Sequence, residues 1–195
     1  MLTWQAENGR GFEGTRLTLG AGAFRALGRQ IRVDPEGDFT SSYGLVMRED
    51  GTPERLSVTS ATARRERNLT INRTEEGYWL LDTGSGGTRT DFDGATDVDL
   101  AYSAMFTTLP IRRLGLHRTA GQHTLRTVFV ALPSLEIKVV EQTYRTVSVI
   151  DETGHAVVAF SWGDFAADLV VDADGFVESY PGIATRVVTA GAAGS

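Results

Sequence analysis

The sequence predicts an all-β protein built on one meandering antiparallel sheet. Apolar and polar residues alternate with period two through most of the chain, and glycine-centred turn dipeptides separate the runs. Glycine supplies 22 of 195 residues against only 5 prolines, an excess that suits many tight turns.

Taken in chain order, the first ambiguous stretch is 20–31. Phe24, Leu27 and Ile31 fall near helical spacing, but Gly20, Gly22 and Gly28 would each weaken a helix by ~1 kcal/mol. A strand is favoured there. Leu56 and Val58 then alternate with Ser57 and Thr59, and 66–73 sets Leu69 and Ile71 against Asn68, Thr70 and Asn72. The stretch 101–114 has no clean alternation and breaks at Pro110, so it reads as an irregular crossover with a short helical turn. Residues 124–132 form a β-branched, more buried strand; 136–150 is the longest candidate, and 165–172 follows the same logic. Between these runs lie Asn8-Gly9, Glu36-Gly37, Asp50-Gly51, Glu76-Gly77, Asp93-Gly94 and Asp174-Gly175, dipeptides suited to hairpin turns. Gly84–Thr88 is a flexible loop and no composition shift marks a linker. One β domain over 1–189 is expected, with 190–195 a flexible tail.

Composition narrows the chemistry. The 19 basic and 25 acidic residues give a net charge of −6 and a pI near 5.1, which argues against charge-driven binding to nucleic acid or an acidic membrane. Cysteine is absent, which removes disulfides, thiolate metal sites and thiol nucleophiles. The three histidines are far apart, so no metal is expected. Asp172-Ala-Asp-Gly175 lacks the remaining ligand positions of a calcium loop and reads as a turn. No cofactor motif is present. With no secretory leader and no apolar membrane span, a cytoplasmic protein is expected.

The chemistry-bearing candidates lie in the centre. Asp97 and Asp99 share one side of a strand, where their like charges need water, cations or arginine. Arg112 and Arg113 follow on a proline-stiffened segment. Such a cluster either closes the sheet as an ion-pair network or presents directed hydrogen bonds to a hydroxyl-rich ligand. Gln142 and Tyr144 share the polar face of the longest strand, and Trp4, Trp79, Trp162, Tyr43, Tyr78 and Tyr180 offer rings suited to an amphipathic molecule.

Asp97-Val-Asp-Leu100, Thr108-Leu-Pro-Ile-Arg-Arg-Leu114, Gln142-Thr-Tyr144 and the run Asp172 to Gly182 resemble, in order and spacing, a bacterial glycolipid-binding family long carried as a domain of unknown function. The resemblance implies a mostly antiparallel sheet curled into an open or half-closed barrel whose concave side takes a lipid-like ligand; it brings no catalytic residues. Ala104-Met-Phe-Thr107 departs from the family pattern by lacking an Asn that could orient a sugar. The resulting expectation is an amphipathic cavity for a glycolipid or similar molecule. Asp97, Asp99, Thr108, Arg112, Arg113, Gln142, Tyr144 and Tyr180 would meet the ligand, while Phe129, Leu169 and Val171 cover its apolar part. Two alternatives stand beside it: an enzyme acting on a small or lipid-like substrate with Asp97, Asp99 or Tyr144 as acid/base, and a structural or protein-interaction module.

Overall fold

A computed structural model describes residues 1–19, 24–35, 37–84 and 86–188; the expected tail at 190–195 lies outside them. The strands are β1 (Leu2–Ala6), β2 (Gly11–Leu19), β3 (Phe24–Arg32), β4 (Phe39–Met47), β5 (Pro53–Thr62), β6 (Glu66–Arg73), β7 (Trp79–Asp82), β8 (Gly87–Thr90), β9 (Asp97–Leu100), β10 (Gln122–Val130), β11 (Ile137–Ser148), β12 (His155–Trp162), β13 (Phe165–Asp172), β14 (Val177–Tyr180) and β15 (Ala184–Arg186). They make one sheet in the order 8-7-6-5-4-3-2-1-15-14-13-12-11-10-9, which is not closed. Because β1 pairs with β15, the two halves of the meander spread to either side of the joined ends of the chain.

Every neighbouring pair is antiparallel except β9 and β10. Parallel neighbours need a crossover connection, and the helix α1 (Ala104–Arg113) provides it. The crossover expected over 101–114 is thus present, with its helical part running for ten residues rather than a single turn. Ser103 caps the helix by accepting from the Phe106 amide, and Arg112 and Arg113 fall in its last turn, where cations are favoured. Pro110 is tolerated inside it because packing outweighs its propensity penalty: all residues from Ala104 to Ile111 are buried. Tyr43 of β4, Asp97 of β9 and Val177 of β14 all touch the helix, so the sheet curls around it. The hollow expected inside the sheet is therefore largely filled by the chain's own helix.

The doubtful stretch around residue 24 is a strand. Ala26 and Gln30 point inward, while Arg25, Leu27, Arg29 and Ile31 are exposed, so two of the apolar residues that hinted at a helix face outward. Gly28 has a packing role, since the Tyr43 ring occupies the space where a side chain at 28 would begin. That passage lets the Tyr43 hydroxyl reach Glu13 at 2.7 Å and Thr15 at 2.6 Å. The buried Glu13 carboxylate also accepts from the Ala104 amide at 2.9 Å and from the Ser103 hydroxyl. A carboxylate from β2 thus tethers the helix N-terminus, where unpaired amides and the helix dipole favour negative charge.

Candidate functional site

Asp97 and Asp99 do share a face of β9, but the fold gives them different surroundings. Asp97 is buried and receives Arg113 Nη2 on both oxygens, at 2.8 and 2.6 Å, with the Thr96 hydroxyl at 2.7 Å. This pair joins the end of α1 to the edge of the sheet. Arg112 donates to the Asp174 carbonyl and lies 4.2 Å over the Phe176 ring, at the same end of the helix. Thr108 is fully buried, donating to the Ala104 carbonyl and accepting from the Val177 amide. All four residues are committed to holding α1 in place.

Asp99 faces a different space. Near the N-terminus of α1, a pocket of about 360 Å³ remains between the helix and the β9–β14 half of the sheet. Leu100, Phe129, Leu132, Trp162, Phe165 and Ile183 form its apolar walls; Asp99, Ser103, Thr107 and Tyr180 supply its polar atoms. Aromatic pairs build one side, Phe129 and Trp162 tilted with 4.7 Å between centroids and Phe165 and Tyr180 edge-to-face at 6.0 Å. The volume lies within the ~300–1,000 Å³ typical of small-molecule sites. Tyr102 at the rim has a φ of 65°, a left-handed backbone that non-glycine residues seldom adopt. Its ring lies under the Arg32 guanidinium at 4.4 Å.

Burial pushes the Asp99 carboxyl up to about 7, against a hydrogen bond from Gln142 that favours its charged form. Gln142 Nε2 donates to Asp99 at 2.6 Å, and Tyr144 donates its hydroxyl to Gln142 Oε1 at 3.1 Å. Both are fully buried and stand behind Asp99, orienting it rather than lining the pocket. Burial raises the Tyr144 and Tyr180 hydroxyls too, with the Asp99 charge as the next cause in each. Phe129 lines the pocket, whereas Leu169 and Val171 are fully buried in the core.

Of the eight polar residues singled out in the sequence, Asp99 and Tyr180 border the pocket, Gln142 and Tyr144 support Asp99, and Asp97, Thr108, Arg112 and Arg113 brace the helix. Ser103, Thr107, Trp162, Phe165 and Ile183 were not in that set. Period-two reading does place Trp162 on an inward face with Phe160, but nothing local reports that the turn residue Ile183 meets the start of a helix 80 positions earlier in the chain. Among the described residues, no arginine, lysine or histidine lines the pocket.

A family model described as "Putative glycolipid-binding" matches residues 1–186. Among solved structures, a DUF1089 family protein from Pseudomonas aeruginosa is 26% identical with a TM-score of 0.70, over 90% of this chain and 92% of that one. A β-barrel-like protein of the domain of unknown function DUF1849, from Brucella abortus, is 10% identical with a TM-score of 0.54. That match covers 95% of this chain and 93% of the other, and at such identity the likeness is one of fold. No curated protein matches.

Proposed function

The chain belongs to the family described as "Putative glycolipid-binding", and from that premise we propose that the pocket beside α1 holds an amphipathic ligand whose polar end is uncharged and rich in hydroxyls. The observation that carries this is the pocket's charge pattern. Among the described residues its one ionisable acid is Asp99 and no cation lines it, Arg32 reaching only the rim over Tyr102, so a phosphate or carboxylate head beside Asp99 would meet a carboxyl with no cation in contact to neutralise either group. A sugar hydroxyl, by contrast, donates to the Asp99 carboxylate or accepts from the carboxylic acid, and the Tyr180 hydroxyl offers a second contact. The Trp162, Phe129 and Phe165 rings cover the apolar part at about 25 cal/mol per Å² removed from water. At about 360 Å³ the pocket takes a head group or a length of one chain, leaving the rest of a large lipid outside.

Titration with octyl glucoside below its micelle concentration, followed by Trp162 fluorescence with Trp162→Phe as the blank, tests this reading. Saturable quenching is expected; octanoate should give none. Filling the pocket with Ala131→Phe should abolish the signal in a protein that still melts cooperatively. Quenching that survives Ala131→Phe, or equal binding of octanoate, refutes the assignment.

A second reading, acid–base catalysis, draws support from a carboxyl titrating near 7 beside a pocket. Of its three candidate groups, Asp97 is held by Arg113 and Tyr144 by Gln142, which leaves Asp99 alone. Turnover of a chromogenic glucoside that disappears in Asp99→Asn would favour this reading over simple binding.

A further inference from the structure

We propose that the outer face of β1–β4 docks on an anionic lipid bilayer. This goes beyond the pocket and does not rest on it. Glu13 is the single carboxylate on these four strands, and it points inward to the helix. The outward positions carry Arg16, Arg25 and Arg29, all exposed, and none has an ion-pair or hydrogen-bond partner among the described residues. Arg55 stands beside them on β5, hydrogen-bonded to Ser57; Glu54 on β5 and Glu66 on β6 border the patch, and Asp34 and Asp38 lie at its end in the connection between β3 and β4. In a chain of net charge −6, a four-strand face that presents only cations is a local reversal of sign.

The apolar residues select the kind of polyanion. Leu27 is 61% exposed, Ile31 57% and Phe12 50%, and the register pairs Leu27 with Arg16 and Ile31 with Phe12 across β2 and β3. Gly14 and Gly44 lower the surface between them, leaving a shallow groove of about 750 Å³ flanked by Arg16 and Arg29. Guanidinium groups alone would serve any row of phosphates. Large aliphatic and aromatic side chains set among them gain only from a surface with an apolar layer beneath its charges. At its Ile31 end the face reaches Arg32, which donates to the Tyr102 carbonyl, so docking sets the rim of the pocket at the edge of the contact.

Co-sedimentation with phosphatidylcholine vesicles, with and without about 30 mol% phosphatidylserine, tests the proposal. Binding should require phosphatidylserine and weaken as salt rises from about 0.1 to 0.5 M. Each arginine near an anionic surface is worth about fivefold, so the triple variant Arg16→Gln/Arg25→Gln/Arg29→Gln should bind about a hundredfold less. Leu27→Ser should lose several-fold at unchanged charge; these side chains are exposed, so both variants should keep the wild-type melting temperature. Asp99→Asn should bind vesicles as wild type does. Absence of binding to phosphatidylserine vesicles, or binding unchanged in the triple variant, overturns the proposal. So does binding to duplex DNA as tight as to vesicles with Leu27→Ser without effect, which would mark a surface for polyanions in general.

Discussion

Replacing Asp99 with asparagine removes a titrating proton while keeping the shape and the hydrogen bond from Gln142. The folded carboxyl titrates near 7 and an exposed one at 3.8, because burial disfavours its charge. At about 1.4 kcal/mol per tenfold, that gap corresponds to a full linkage of ~4 kcal/mol. The folded state holds this proton more tightly than the unfolded chain does. Its contribution to stability is therefore complete below pH 3.8, and it is lost as pH rises through the window between 3.8 and about 7. Between pH 5 and pH 8 the wild type should lose about 2–3 kcal/mol relative to Asp99→Asn. Glu13 is also raised by burial, but it is present in both proteins and its titration largely cancels in the difference. Urea unfolding of both proteins at pH 5, 6, 7 and 8 measures that difference. If the gap between them stays constant across those four values, the carboxyl is not desolvated as described and the electrostatic account of the pocket falls.

Other substitutions probe the frame that holds the pocket. An alanine Cβ at position 28 would stand 2.0–2.4 Å from two ring carbons and the hydroxyl oxygen of Tyr43, displacing it from Glu13 and Thr15. Gly28→Ala should therefore destabilise by ~3 kcal/mol or more in thermal melts. Arg113→Ala leaves Asp97 buried without its partner and should cost about 3–5 kcal/mol, while the double variant with Asp97→Asn should recover much of that loss. Glu13→Ala removes the acceptor for Tyr43, Ser103 and the Ala104 amide, and an expected loss of about 2–4 kcal/mol should be larger than that of Glu13→Gln. Hydrogen exchange at the Ala104–Phe106 amides should speed up most in that variant.

The architecture was legible in the linear chain because strand signals are local. Alternation at 56–59 and 66–73, and the paired turns between strands, need only neighbouring residues to be read, and the family-like strings at 97–100 and 108–114 marked the region where the helix and its supports lie. The spacing of Leu27 and Ile31 also admitted a buried helix face; the strand favoured there formed, and it turns both residues outward. The linear pattern could not tell Asp97 from Asp99. Two positions apart on one face they are equivalent by periodicity, and they differ only because Arg113, at the far end of α1, reaches one of them and a gap beside Ser103 and Tyr180 faces the other. Long-range pairing settled the rest. Glu13 meets the helix cap 90 residues later, and the arginines of β2 and β3 gather on a face cleared of carboxylates although the chain as a whole is acidic. Local preference writes the strands, whereas the roles of charges come from which distant segments the curled sheet presses together.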